Sequence, residues 1–242
     1  MTAKLGPYKK SLDYSYAIGV YPTLELLAHQ PERVVRVLVS SAGGENEGVA
    51  RIRELCQRRR LYADVADAAI ARIAGQGNVY AIGVFRKYEA ALDSQADHLA
   101  LVNPSDAGNL GTILRTMLAF GLADLAIIEP AVDLYDPKTV RASMGALFQV
   151  RAARFASLAD YRRRFAHHFY PFMTDGEHAL GEVDWQPPLA LVFGNEGAGL
   201  APEVRALGTS VRIPHSDRVD SLNLAVAVGI ALHAFSSRRG AP

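Results

Sequence analysis

HLALVNPSDAGNLGTILRTMLAFGLADLAII, residues 98–128, carries an apolar run, a glycine-punctuated turn, an amphipathic stretch and a second apolar run. A strand, a helix and a strand in that order make a βαβ unit, whose crossover joins parallel strands. The same alternation continues downstream, with a helix over 136–147, a strand over 149–155 and a helix over 158–166. After Pro187 and Pro188 come the strand LALVFG (189–194), a helix over 200–207, a strand over 210–213 and a terminal helix over 219–235. Such a repeat predicts an α/β fold built on a mostly parallel sheet with helices on both faces. Upstream the elements form a smaller α/β set. Thr23 caps a short helix over 24–29, RVVRVLVS (33–40) reads as a strand, and Gly43 and Gly44 break the chain. A helix over 45–60 lines up Val49, Ile52, Leu55 and Cys56, and a helix over 64–74 precedes a strand over 79–85. The charged segment 86–96 lacks a strand pattern and reads as a linker, which divides the chain into domains 1–95 and 96–242.

The composition fits that reading. The chain has 242 residues, 50% hydrophobic and 21% charged, which excludes disorder, collagen and coiled coil as descriptions of the whole. Its one cysteine, Cys56, allows neither an internal disulfide nor a cysteine-rich zinc site, and a reducing, cytoplasmic location is the expectation. Residues 1–10 carry Lys4, Lys9 and Lys10 with no apolar stretch behind them, so no secretory signal is expected. The longest uncharged apolar run, 222–235, includes Asn223 and His233 and falls short of the roughly 20 residues that span a membrane. Net charge is +1, so nucleic acid is not attracted by the molecule as a whole. The charge is uneven, with 13 basic against 10 acidic residues before residue 95 and 13 against 15 after it. Arginines concentrate at Arg51, Arg53, Arg58, Arg59 and Arg60, and at Arg162, Arg163 and Arg164, as either solvated helix faces or phosphate-binding patches.

Three segments combine glycine, short polar groups and strand-to-helix turns. In NPSDAGNLGTILRTMLAFG (103–121), Pro104 ends a strand, Gly108 and Gly111 permit close backbone approach, and Asn109 opens a helix that carries Arg115. Turns of this kind present free N–H groups at the carboxyl edge of a parallel sheet, where ligands of open α/β folds bind. The plainer alternative is that Asp106 and Asn109 are caps and Arg115 a surface charge. In LALVFGNEGAGL (189–200), Gly194, Asn195, Glu196, Gly197 and Gly199 follow an apolar strand, and a carboxylate among glycines is an odd choice for a turn with no ligand. The spacing is neither the dinucleotide-binding G-x-G-x-x-G nor the P-loop. In VRIPHSDRVDSLNLAVAVGIALHAF (211–235), Ser221 and Asn223 enter a helix of small residues, Ala225, Ala227 and Gly229, which suits close packing or a dimer face. Both polar side chains need partners once buried. No G-x-S-x-G, H-E-x-x-H or paired cysteine is present, and His29, His98, His167, His168, His178, His215 and His233 lack metal-ligand spacing, so no metal is expected.

In this order the three segments resemble the SpoU (TrmH) family of RNA ribose 2′-O-methyltransferases, over about residues 99–235. These are trefoil-knot enzymes that use S-adenosylmethionine. The front stretch IGVYPTLELLAHQPERVVRVLVSS (18–41) more loosely resembles the ribosomal-protein L30e-like, RNA-binding domain that several members carry ahead of the catalytic one. The resemblance implies a trefoil knot in the sheet domain, a homodimer packed across it, and one active site that borrows a residue from the other chain. General topology rules argue against knots, so this expectation comes from the resemblance alone. Cofactor contacts carry over to Gly194, Asn195, Gly197, Ile213 and Leu222.

The family's essential arginine carries over to Arg115, and Asn109, Glu196, Ser221 and Asn223 position it, the ribose and the knot loops. The family assigns this arginine to activating the 2′-hydroxyl. A permanently charged guanidinium is better suited to holding the adjacent phosphate and stabilising the developing alkoxide, and both roles stay open. Ribosomal RNA is the expected substrate, with transfer RNA as the alternative and a catalytically silent RNA-binding protein of the same fold as the remaining one. Two departures bear on substrate choice. His215, Ser216 and Asp217 stand where many members have a methionine and a glycine, and the front domain ends GQGNVYAIGVF (75–85) where many have His-Gln-Gly-Val.

Overall fold

The computed structural model describes residues 5–75 and 77–238, and these fall into two compact units. The first holds the chain up to Tyr88 together with Asp133–Gln149; the second holds Glu89–Val132 and the chain from Val150 onward.

In the first unit the elements are β1 (Tyr14–Ile18), α1 (Val20–His29), β2 (Val34–Val39), α2 (Glu47–Arg58), β3 (Ala63–Val65), α3 (Asp67–Ala74) and β4 (Ala81–Arg86). The sheet order is β1-β4-β2-β3, with β4 antiparallel to β1 and β2, and β3 parallel to β2. Alternation along the strands separates two cores. Val37, Val39 and Ala81 pack with Leu27 of α1 and with Val49, Ile52 and Cys56 of α2, while Tyr16, Leu38, Ile82 and Val84 pack with Ile70 of α3. Thr23 is not a cap. It lies buried inside α1, its hydroxyl donating to the carbonyls of Ala17 and Gly19 and accepting from the Gly83 N–H at 3.0 Å. The helix therefore starts at Val20, earlier than its sequence punctuation indicates. Strand β1 carries no expectation from the sequence, and the stretch 64–74 splits into the short β3 and α3 because β3 finds a partner in β2.

Residues 133–149 depart from the expected division at residue 95. They follow a strand of the second unit, yet α5 (Pro137–Ala142) and the 3-10 turn Ala146–Phe148 pack on the first. Phe85 stacks edge to face on Tyr135 and Phe148, the Ser15 hydroxyl donates to the Tyr135 carbonyl, and Gln30 donates to the Phe148 carbonyl at 3.0 Å. The expected helix over 136–147 breaks at Met144 and Gly145, both in left-handed backbone; a Cβ on Gly145 would sit 2.4 Å from Glu25.

The second unit is built on β5 (His98–Val102), β6 (Asp124–Ile128), β7 (Arg151–Phe155), β8 (His168–Pro171) and β10 (Leu189–Phe193). Their order is β7-β6-β5-β10-β8, every neighbouring pair parallel. The helices are α4 (Ala107–Ala119), α6 (Leu158–Arg164) and α7 (Leu224–Arg238). On one face Ala100, Ala126, Phe155, Phe169, Ala190 and Val192 pack with Tyr161 of α6. Residues of the opposite parity, such as Leu99, Leu125, Ile127 and Leu191, are buried as well. Helices α4 and α7 pack on each other and bury Leu110, Ile113, Leu114, Met117, Val228 and Leu232.

One strand missed in the sequence appears here, and three sequence expectations shift. Strand β8, HFYP, was hidden behind a basic helix and a terminal proline, yet it forms the sheet edge beside β10. The 210–213 strand shrinks to β11 (Val211–Arg212), which pairs with β9 (His178–Ala179) outside the main sheet. The helix over 200–207 is a 3-10 turn, Pro202–Leu207, and the terminal helix begins at Leu224 rather than 219. Among the described residues no helix is long and apolar enough to cross a membrane.

Candidate functional site

At the end of β5 the chain has to leave the sheet and re-enter a helix within a few residues. Asn103 adopts left-handed backbone, φ 54°, a region that asparagine tolerates better than most residues. Asp106 then caps α4, its carboxylate accepting from the Asn109 N–H at 2.7 Å. The cap is thus Asp106, and the helix opens at Ala107, which frees the Asn109 side chain for other work.

That work is done with the loop after β10. Gly194 passes so close to the returning chain that a Cβ there would lie 2.1 Å from the Gly199 carbonyl carbon. Asn195 and Gly199 exchange backbone hydrogen bonds of 3.2 and 2.9 Å, which closes the loop on itself. The Asn195 side chain accepts from the N–H groups of Gly197 and Ala198 and donates to the Asn103 carbonyl at 2.8 Å, tying this loop to the β5 turn. Glu196 completes the tie. One carboxylate oxygen accepts from the Ser105 N–H (3.0 Å) and hydroxyl (2.7 Å), and the other from the Asp106 N–H (3.1 Å) and Asn109 Nδ2 (3.3 Å). Partial burial by itself would raise the Glu196 carboxyl. The hydrogen bond from the Ser105 hydroxyl, with the backbone and Asn109 bonds, outweighs it and holds the group below the usual glutamate range.

Asn109 passes the connection on. With its amide nitrogen on Glu196, its oxygen accepts from Asn223 Nδ2 at 3.1 Å. The Asn223 oxygen in turn accepts from the N–H groups of Ala225 (2.9 Å) and Val226 (3.3 Å), capping α7. A single run of hydrogen bonds therefore joins the β5 turn, the β10 loop and the start of α7.

Beside this run lies a cleft of about 500 Å³, within the range of small-molecule and cofactor sites. Gly194, Asn195, Glu196, Gly197, Ile213, Ser221 and Leu222 all line it, with apolar walls from Phe193, Leu200 and Leu224. Asn109 and Asn223 stand behind it. Arg115 does not line it; the side chain is exposed on α4 and makes no hydrogen bond or ion pair among the described residues. The cleft fits a molecule of the size of S-adenosylmethionine: apolar walls suit a nucleoside, and the bare backbone at Gly194 and Gly199 leaves room that a side chain would fill. Ser105 was missed in the sequence because nothing in its spacing marks it; the left-handed Asn103 and its N-P-S-D context are the signal that existed. Among the described residues no cluster of three or more His, Cys, Asp or Glu could hold a metal ion.

Comparison with known proteins bears on the same segments. A profile described as the SpoU rRNA Methylase family matches residues 97–233. The 23S rRNA (adenosine(1067)-2'-O)-methyltransferase of Streptomyces laurentii is 31% identical over 199 residues, covering 76% of this chain and 72% of that protein. The 23S rRNA (guanosine-2'-O-)-methyltransferase RlmB of Acinetobacter baylyi is 27% identical over 242 residues, covering 93% of this chain and 97% of that protein. Other relatives are longer: the chain spans about half, 51%, of an uncharacterized tRNA/rRNA methyltransferase of Synechocystis that it matches at 36% identity, covering 56% of this chain. Among solved structures, the AdoMet-bound rRNA methyltransferase of Sinorhizobium meliloti superposes with a TM-score of 0.79 at 30% identity, covering 94% of this chain and 87% of that one.

Proposed function

This chain belongs to the SpoU rRNA Methylase family, and from that premise we propose that it transfers a methyl group from S-adenosylmethionine to a ribose 2′-hydroxyl of ribosomal RNA. The observation that carries the reading is the Glu196–Asn109–Asn223 run, which fixes the three matched segments around one cleft. When bound, the cofactor supplies an electrophilic sulfonium methyl group. The reaction forms a C–O bond to the ribose as the C–S bond breaks, the neutral thioether S-adenosylhomocysteine leaves, and the hydroxyl proton passes to solvent water. The protein's part is to bring both reactants into line, which by itself removes several kcal/mol of barrier.

In this reading Gly194, Asn195, Gly197, Ile213 and Leu222 hold the cofactor, chiefly through backbone and apolar contacts. Glu196, whose carboxylate accepts five hydrogen bonds, is a positioning residue and not a proton acceptor. Ser221, exposed at the cleft, is placed to touch substrate. Arg115 is the catalytic cation, holding the phosphate next to the target ribose and stabilising the alkoxide as it develops.

The reading includes the homodimer that the resemblance implies, and the absence of Arg115 from the lining of its own cleft supports it. Helix α7 exposes Val226 and Ile230, an apolar strip that a second copy would cover, and the packed pair α4–α7 would then present Arg115 to the partner's cleft. The reading also includes the trefoil knot, with 172–223 as the threaded region. Close chain crossings support it: a Cβ on Gly176 would meet the Val211 carbonyl carbon at 2.4 Å, and one on Gly208 would meet the Phe169 oxygen at 2.1 Å. The front unit serves as the L30e-like RNA-binding domain, and a cytoplasmic location belongs to the same reading.

The test is transfer of labelled methyl to unmodified ribosomal and transfer RNA, scored by alkali-resistant linkage at the modified nucleotide. Ribosomal RNA is expected to be labelled. Base methylation, or labelling of transfer RNA alone, would overturn the substrate assignment.

A further inference from the structure

Two arginine clusters stand out in the sequence, and the fold accounts fully for one of them. On α6, Arg163 and Arg164 donate to Asp160, while Arg162 and Arg164 lie over the rings of Phe169 and Phe155, each at 5.3 Å. The other cluster, on α2 and the turn after it, is used only in part. Arg51 and Arg58 share Glu54. The side chains of Arg59 and Arg60 are exposed and make no hydrogen bond or ion pair among the described residues.

Helix capping does not explain these two. The last carbonyls of α2 are taken by the chain itself: the Arg59 N–H donates to Leu55 and Cys56, that of Arg60 to Gln57, and that of Leu61 back to Cys56 at 2.8 Å. This helix end puts Arg60 in left-handed backbone, φ 58°, at the position where glycine is usual. Glycine adopts that conformation without the clash a side chain brings, so the arginine stands there against local preference. Leu61 packs on the core around Ile52 and Cys56. Its neighbours on both sides face solvent, and Tyr62, one step before β3, is 86% exposed. Residues 51–62 hold five arginines and one acidic residue, Glu54, a local charge of +4 in a molecule of +1. The next carboxylate along the chain, Asp64, is held by Arg36 at 2.6 Å.

We propose that the turn Arg59–Tyr62 is a contact for unpaired RNA, in which Arg59 and Arg60 hold backbone phosphates and Tyr62 stacks on a base. Unpaired guanidinium groups beside a ring that stands in water are the parts of a single-strand grip: the cations follow the phosphates and the ring takes a base face. A duplex keeps its base faces in the stack, so it offers phosphates to the arginines and nothing to the tyrosine. All these residues belong to the front unit and none lines the cleft, so the contact holds substrate without taking part in the chemistry. The inference rests on the reading that the chain acts on RNA.

The test titrates the full chain with fluorescent oligouridine and with a blunt-ended RNA duplex over a range of salt. Arg59→Gln/Arg60→Gln should flatten the slope of log affinity against log salt for oligouridine by about 1.4, the loss of two single-strand phosphate contacts at roughly 0.7 each. The same loss of charge on α6, Arg162→Gln/Arg163→Gln, should leave that slope as it is. Tyr62→Leu should weaken oligouridine by about fivefold or more and leave the duplex unchanged, whereas Tyr62→Phe, which keeps the ring, should bind as wild type. Arg60→Gly relaxes the left-handed backbone, so it should weaken RNA binding without lowering Tm, which an arginine of purely structural use would not do. Ultraviolet cross-linking of wild type needs no variant and should attach uridine to Tyr62, within the tryptic peptide 61–72. Unchanged oligouridine affinity in the arginine pair or in Tyr62→Leu, or a cross-link confined to other peptides, overturns the inference; if ribosomal RNA is still methylated, the functional reading stands. Tight binding of polyglutamate that the arginine pair weakens, with Tyr62→Leu without effect on either RNA, assigns the surface to an acidic protein face and overturns it too. If no RNA is bound and none is methylated, both readings fall.

Discussion

Replacing Glu196 by glutamine changes one oxygen to an amide nitrogen and little else. The carboxylate accepts five hydrogen bonds, three on one oxygen and two on the other. Glutamine has one oxygen, so whichever way it turns, its NH₂ faces at least one backbone N–H, that of Ser105 or that of Asp106. The Ser105 hydroxyl can rotate to accept; a backbone N–H cannot. Bonds to a charged acceptor are worth about 1.5–3 kcal/mol and neutral ones about 0.5–1.5, so five weakened bonds, at least one of them lost, cost several kcal/mol before solvent is counted. Glu196 is half-buried, and water recovers part of this, which leaves an expected loss of about 2 to 3 kcal/mol. For a chain of this size that corresponds to roughly 5 to 10 °C in Tm, measured by thermal unfolding of wild type and variant side by side. The pH dependence follows from the sign of the shift. The folded carboxyl titrates below its unfolded counterpart, so its stabilisation is complete above the ordinary glutamate range and disappears as pH falls through the folded value. The gap between wild type and Glu196→Gln should be flat from pH 8 to about pH 5 and close below about pH 4. A gap absent at pH 7, or one that widens in acid, would refute the assignment of Glu196 as an ionised clamp.

Arg115→Ala should leave Tm within about 1 °C, because the side chain is exposed and makes no hydrogen bond or ion pair among the described residues, while methyl transfer falls by roughly two orders of magnitude or more. A drop in stability that explained the lost activity would sink the catalytic assignment. If Arg115 serves the partner's cleft, co-expressed Arg115→Ala and Glu196→Gln chains should recover activity that neither has alone, since one of the two clefts in the mixed dimer is intact; no recovery in purified mixed dimers argues for action within one chain. Gly194→Ala should abolish cofactor binding in calorimetry, because its Cβ would overlap the Gly199 carbonyl carbon at 2.1 Å and the loop must open. A fragment ending at residue 95 lacks Tyr135 and Phe148, which cover Phe85; losing the burial of one such ring costs about 1.5–3 kcal/mol, and the fragment should unfold more readily than one to which 133–149 is rejoined by a linker.

The second unit was readable because its strands obey a simple rule. Strands buried on both faces read as unbroken apolar runs, and β5, β6 and β10 do; β8 does not, since HFYP carries a histidine and a proline at the sheet edge, where partners are fewer. Helix α4 was placed two residues late because Asn109 looks as good a cap as Asp106. Only the 2.7 Å bond to the Asp106 carboxylate distinguishes them. Residues 219–223 were read into the terminal helix because nothing in VDSLN forbids one; the stretch stays irregular where Ser221 and Leu222 line the cleft, and Asn223, its last residue, caps α7. The excursion of 133–149 to the other unit was invisible for a different reason. Local patterns report which face of an element is apolar, but not which sheet covers it.

The site itself shows the same division between what residues announce and what only assembly reveals. Glycines and amides at Gly194, Asn195, Asn109 and Asn223 marked the three segments, yet a sequence assigns no partner to a carboxylate. Read alone, Glu196 could equally have been a base. What decides against that role is that its acceptances are already given to Ser105, Asp106, Asn109 and Asn195. A proton acceptor must have a lone pair to offer, and this carboxylate has spent its pairs on holding two loops together. The same reasoning explains why Arg115 was the harder residue to place. It is marked by the motif and makes no hydrogen bond or ion pair among the described residues; in the proposed reading this exposed cation, on a helix packed against the one that exposes Val226 and Ile230, acts on what approaches that face. In the proposed reading one chain completes the cofactor side of the cleft, and a second copy supplies the phosphate side.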